Sequence, residues 1–239
     1  VPLHLPIRFG QEHRQMSKEC IINVGHGGWY PKGTERLRRS LIHHGYPGEL
    51  MLWSGLMPPG SPSHKDVPYG MKVHAFEAAF AAGHTRVLWL DCSVWCVKYP
   101  EHHMRSLAGD GHYLLGNGDW RCDQWCNDHA LAYFGLTRAE AASIPLISSG
   151  VLGLDMANER SREFFAQWKN AMLAGAFKGA WTAVPEEGSG DRYRGHRHDQ
   201  TCASIIAHRL GMVLQPTEVY DVYYRPDMPM EVEFAIQGM

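Results

Sequence analysis

Four consecutive apolar residues, Val87-Leu88-Trp89-Leu90, run directly into a carboxylate, Asp91. A run so short and continuous has no polar face to offer water, so it fits a strand buried on both sides, in a sheet covered above and below by helices. The preceding segment agrees: Tyr69 to Ala82 is alanine-rich, and Gly83 is placed to stop a helix there. Upstream the alternation repeats. Cys20 to Val24 predicts a strand that enters the turn Gly25-His26-Gly27-Gly28, and Thr34 to His44 predicts a helix with Leu37, Leu41 and Ile42 on one face. Glu49 to Trp53 predicts a second strand, and Met57 to Pro68 is a proline-, glycine- and serine-rich loop. Later, Ile147 to Leu154 predicts a strand, and Asn158 to Ala174 and Gln200 to Leu210 predict helices. The expected fold is α/β, a mixed, mostly parallel central sheet flanked by helices, with ligands beyond the carboxyl ends of the strands. Asp91 stands at such an end.

A chain of 239 residues suits one domain with a sizeable core, expected over residues 20–239, with residues 1–19 as an amino-terminal tail. Its 44% apolar and 20% charged residues are those of a folded globular protein. The net charge of −2, counted with neutral histidines, gives no signal for a nucleic-acid partner. The longest apolar runs, such as Val87 to Leu90 and Ile205 to Ala207, fall far short of the ~20 residues that cross a bilayer. Val1 to Arg14 lacks the apolar core of a signal peptide, so the expected location is cytoplasmic.

Asp91, followed two residues later by the hydroxyl of Ser93, presents the hard oxygen ligands that Mg²⁺ or Mn²⁺ takes when it bridges a diphosphate. The competing explanation is an aspartate that ends a strand and forms a turn. His196 and His198 alternate along one segment, so on an extended chain both imidazoles face one side, where either could complete a metal shell; the alternative is a polar turn with Asp199 capping the next helix. Cys92, Cys96, Cys122 and Cys126 form two Cys-x-x-x-Cys pairs whose spacing permits a four-thiolate zinc site, but Trp95 and Trp125 directly precede the second cysteine of each pair, which favours plain core packing. The glycines at 25, 27 and 28 match neither the dinucleotide-binding fingerprint nor a P-loop, and neither a Gly-x-Ser-x-Gly elbow nor a His-Glu-x-x-His helix occurs.

From about Cys20 to Met212 the ordered segments resemble nucleotide-sugar glycosyltransferases of the GT-A fold. The family's Asp-x-Asp metal motif ends a core strand; here it reads Asp91-Cys92-Ser93, without the second acid. The segment Gly195-His196-Arg197-His198-Asp199-Gln200-Thr201 is similar to the one that opens a late helix in retaining members. The resemblance implies that Asp199 binds donor-sugar hydroxyls and that Gln200 lies beside the anomeric carbon. An amide is a poor nucleophile, which favours front-face transfer with retention. Ser149-Gly150-Val151 is similar to the family's acceptor-side strand. Asn23 to Lys32 would hold the nucleotide, with Asn23 lining it and Trp29 or Tyr30 stacked on the base, and Lys72 would neutralise the pyrophosphate. The implied partners are a UDP- or GDP-sugar, Mn²⁺ or Mg²⁺, and an acceptor that the sequence does not specify. The alternative is a zinc-stabilised or catalytically inactive carbohydrate- or nucleotide-binding protein, since Ser93 replaces the second acid.

Overall fold

A computed structural model of the chain describes residues 19–237. The predicted tail lies outside the described residues except for Glu19, which instead opens β1 (Glu19–Gly25). There follow α1 (Tyr30–His43), β2 (Glu49–Ser54), α2 (Gly70–Ala81), β3 (Arg86–Leu90), β4 (Val94–Cys96), α3 (Glu101–Asp110) and β5 (His112–Arg121). Three short helices, α4 (Cys122–Trp125), α5 (Asp128–Tyr133) and α6 (Arg138–Ala141), lead to β6 (Pro145–Asp155), α7 (Glu159–Leu173), α8 (His198–Arg209), β7 (Asp221–Tyr223) and β8 (Phe234–Ile236). None of the helices described is long and apolar enough to cross a membrane.

The main sheet has the order β2-β1-β3-β6-β5. β1 pairs in parallel with β2 and β3, while β6 runs antiparallel to both β3 and β5. Four of the five strands therefore share one direction and β6 alone opposes them. The two-residue period of a strand divides the core into two layers. Cys20, Ile22, Val24, Val87, Trp89, Leu152 and Leu154 face the layer that α2, α7 and α8 complete with Val73, Phe76, Phe164, Trp168 and Ile205. Ile21, Leu88, Leu90 and Val151 face the other layer, completed by Leu37 and Leu41 of α1 and Leu107 of α3. The run Val87 to Leu90 is continuous because both faces of β3 are covered.

A second sheet, in the order β4-β8-β7, returns the carboxyl end of the chain to β4, immediately after the Asp91 turn. Its anchor is a buried charge cluster. Nδ1 of His103 lies 2.6 Å from Glu233 and Nε2 lies 3.1 Å from Asp221, which also accepts from the Tyr113 hydroxyl. Burial pushes the His103 pKa down, but Asp221 and Glu233 outweigh it and hold the imidazolium up to about 9. A pKa above its ordinary 6.5 means that this stabilisation is complete below pH 6.5 and is lost as pH rises through about 9. At ~1.4 kcal/mol per pH unit the contribution is on the order of 3 kcal/mol. Urea unfolding at pH 6.5 and at about pH 10 should show that loss in the wild type and not in His103→Gln. Parallel pH profiles for the two proteins would contradict it.

Candidate active site

Lys72 stands in the first turn of α2, which packs on β1 and β3, and this places its side chain under the carboxyl end of β3. It is 1% exposed. Its Nζ donates to the Ser149 carbonyl at 2.8 Å and to the Ser149 hydroxyl at 3.1 Å. The same ammonium lies 3.1 Å from Oδ2 of Asp199 and 3.4 Å from Oδ1 of Asp91. The rings of Tyr69 and Trp89 each lie 5.2 Å from it. A buried ammonium would ordinarily lose its proton, yet the two carboxylates more than offset burial and hold its pKa above the usual lysine value. Burial raises the Asp199 pKa, with Lys72 opposing. With all three groups charged, two carboxylates share one cation, and the cluster is net negative by one.

Asp91 is the exposed member, with about a third of its side chain (35%) open to solvent. Its Oδ1 accepts from Trp89 Nε1 at 2.7 Å, and its backbone N–H donates to the Gly150 carbonyl at 2.8 Å. A Cβ at Gly150 would stand 3.3 Å from Asp91 Oδ2, so the small residue keeps that oxygen clear. The turn after Asp91 closes with Val94 N–H donating to the Asp91 carbonyl. Asn23 clamps the turn from below: its amide donates to the Leu90 carbonyl at 2.6 Å, and its carbonyl accepts from Thr34 of α1. Ser93 is half-buried, and its carbonyl accepts from Arg36 and from the Gln237 N–H.

Asp199 enters from the first turn of α8. The residue before it, His198, has φ 49°, and Tyr69 at the start of α2 has φ 59°. Side chains rarely adopt this conformation, which costs of order 1–3 kcal/mol per residue and persists where the surroundings enforce it. The two strained residues face one another across the cluster, their rings 5.6 Å apart, and Trp181 stacks on His198 at 5.8 Å. Gly195, at φ 139°, lets the chain pass against the backbone of Trp181, where a Cβ would overlap its carbonyl oxygen. His198 Nδ1 donates to the Phe177 carbonyl, so the lone pair is on Nε2, and burial keeps the ring below its ordinary pKa. Oδ2 of Asp199 is buried, with the Lys72 ammonium 3.1 Å away as its charge partner. Gln200 is half-buried, with its N–H donating to the Arg197 carbonyl.

The fold thus gathers Asp91, Lys72, Ser149, Gly150 and Asp199, residues up to 127 positions apart in sequence, with His198 and Gln200 alongside. Trp29 and Tyr30 are exposed and stacked, ring centroids 5.0 Å apart, and the Trp29 ring packs against Gly33 beside the Cys92 carbonyl, next to the Asp91 turn. Four expectations need correction. Asn23 is fully buried and spends its amide on Leu90 and Thr34, so it braces the turn and does not line a ligand surface. His196 donates from Nε2 to Ala176 and accepts at Nδ1 from Asn127; both nitrogens are committed, so it has no lone pair for a metal. Lys72, expected at a pyrophosphate, is already neutralised by the two aspartates. The four-thiolate zinc site is not built: among the described residues no three His, Cys, Asp or Glu gather to hold a metal, and Cys92 donates to Val24 while Cys96 donates to Lys98.

Sequence reasoning missed Tyr69 and Trp181. Burial pushes the Tyr69 phenol up, with Asp199, Asp91 and Tyr30 adding to it, and its ring lies 5.2 Å from Lys72 Nζ and 5.6 Å from the His198 ring. The only signal for it was the Pro68-Tyr69-Gly70 sequence at the helix start, which is common to many turns.

No family model and no curated protein matches the chain. Among solved structures, the chain is similar to a glycosyltransferase involved in the glycosylation of the major capsid of PBCV-1, with a TM-score of 0.53. The match is 12% identical and covers 91% of this chain and 92% of that one. An agreement over nearly both full lengths defines the class: the chain has a mixed α/β, glycosyltransferase-like fold. At that identity the likeness concerns the fold, and the chemistry rests on the site.

Proposed function

We propose that the protein is a glycosyltransferase that moves a sugar from a nucleotide diphosphate, UDP or GDP, to an acceptor hydroxyl. The observation that carries this is the convergence of Asp91 and Asp199 on the buried ammonium of Lys72, at the carboxyl end of β3 and the start of α8. Ligands of open α/β sheets lie beyond strand ends of this kind. Asp91 offers its exposed carboxylate to the cleft, and Asp199, which the family resemblance assigns to donor-sugar hydroxyls, is joined to it through the Lys72 ammonium. Lys72 acts through both: it fixes their positions and prevents two carboxylates from repelling each other. Trp29 and Tyr30 supply an exposed aromatic surface for the base.

A divalent cation fits this donor set only in company with a diphosphate. Asp91 would contribute one carboxylate, with Ser93 and the Nε2 lone pair of His198 as the further donors this reading would call on, and phosphate oxygens and water would complete the shell of Mg²⁺ or Mn²⁺. When bound, the cation would neutralise charge on the departing diphosphate.

Gln200, next to Asp199, carries no nucleophilic oxygen, which favours retention at the anomeric carbon. Proton NMR of the first-formed product from an α-linked donor should show an α-linked product. A β-linked product would overturn retention and require a carboxylate base elsewhere in the cleft.

A further inference from the structure

Arg197 is 8% exposed, and no carboxylate among the described residues pairs with its guanidinium. The group is held by three rings: Trp181 with its centroid 3.6 Å away, Trp125 at 4.1 Å and Trp120 at 5.7 Å. Its Nη1 is buried without a hydrogen-bond partner. Arg86 pairs with Asp155, and Arg138, although its Nε lacks a partner, bonds to Asp128 and to two carbonyls; the Arg197 guanidinium has neither a carboxylate nor a carbonyl among the described residues. Stacking on tryptophan explains where the guanidinium lies but not why its Nη1 is buried without an acceptor. A methionine or glutamine would fill the slot without an uncompensated charge.

The position of Arg197 supplies the reason. It directly precedes His198 and Asp199, and the Trp181 ring that carries its guanidinium also stacks on His198 at 5.8 Å and lies 6.3 Å from the Tyr69 ring, so it adjoins the same cleft. Trp120 and Trp181 are each 40% exposed, leaving the mouth of the slot open to a ligand. A planar fork between aromatic walls matches the paired oxygens of a phosphoryl or carboxylate group.

We propose that Arg197 is the anion-binding residue of this site, taking a phosphoryl or carboxylate oxygen of the ligand while Trp120, Trp125 and Trp181 hold the guanidinium in place. This rests on the nucleotide-sugar reading for which ligand arrives, but not for the need for an anion. The test is calorimetric titration of the full chain with uridine diphosphate, inorganic pyrophosphate and glucuronate, comparing the wild type, Arg197→Gln and Arg197→Lys. Arg197→Gln should weaken at least one of these anions tenfold or more. Arg197→Lys should recover only part of that loss, because an ammonium cannot offer the planar fork. Loss confined to the diphosphates assigns the slot to the donor, and loss confined to glucuronate assigns it to an acidic acceptor.

Tryptophan emission of the wild type should shift on binding the same anion, a readout that does not depend on how well either variant folds. Equal binding of every anion by wild type and Arg197→Gln would overturn the proposal while leaving the donor reading intact. Binding of none of the three by the wild type would overturn it too. Arg197-dependent binding of glucuronate with no diphosphate binding would uphold the proposal and overturn the donor reading.

Discussion

Lys72→Met should lower the free energy of unfolding by about 3–5 kcal/mol, because removing one partner of a buried ion cluster strands the other charges. Methionine is close in length and apolar, so lost packing contributes little, and the cost is electrostatic. Asp199, 1% exposed, would keep a carboxylate with no cation within reach and would face Asp91 as a like charge. The Ser149 carbonyl and hydroxyl would lose their donor as well. Urea denaturation measures the loss directly. The double variant Lys72→Met with Asp199→Asn should recover a large part of it, since neutralising Asp199 removes the stranded charge. A loss below about 1 kcal/mol for Lys72→Met, or no recovery in the double variant, would contradict a charged cluster.

Asp91→Asn should behave in the opposite way, leaving the fold and removing the activity. The amide keeps the shape of the carboxylate, and its oxygen can still accept from Trp89 Nε1. Lys72 retains Asp199 as its counter-ion at 3.1 Å, so the buried pair stays neutral. What is lost is the one negative charge open to the cleft. Removing a single preorganised electrostatic group from an active site typically costs about 10²–10³-fold in turnover. Steady-state turnover of whichever nucleotide sugar the protein accepts should fall by that factor, with an unchanged circular dichroism spectrum and urea midpoint. Ser93→Ala should cost less, since Ser93 contributes no charge. Near wild-type turnover in Asp91→Asn would reduce Asp91 to a turn residue.

The elements that position the site were visible in the sequence because they are regular. The predicted strand Val87 to Leu90 makes up all of β3 but its first residue, and the expected helix Tyr69 to Ala82 overlaps all of α2. The layered arrangement followed from apolar continuity in β3, a property that requires cover on both faces. What was not visible was long-range or irregular. β5 was missed because its second half, Gly116 to Arg121, is polar and exposed apart from its ends and pairs only irregularly with β6. β4, β7 and β8 are three residues each, too short to show a period.

Within the candidate site, Asp91 stands out by its place at a strand end and Asp199 by the resemblance of the segment Gly195 to Thr201. The partnership between them was hidden, because it runs through Lys72, whose spacing on an alanine-rich helix is that of an ordinary surface lysine. Arg197 was in view as part of a polar turn, but its burial depends on Trp120 at the end of β5, Trp125 of α4 and Trp181 of the segment before α8. Asn23 and His196 were misjudged for the same reason: polar residues near a glycine turn or a histidine pair look available until their hydrogen bonds are counted.

The proposed nucleotide-sugar site is tested most directly by calorimetric titration of the full chain with a panel of UDP- and GDP-sugars, each with and without Mn²⁺, beside a titration with Mn²⁺ alone. The account predicts that at least one UDP- or GDP-sugar binds, that Mn²⁺ tightens it, and that the metal alone gives no saturable heat, because the cation needs the diphosphate to complete its shell. Failure of every nucleotide sugar to bind, with or without metal, would contradict it.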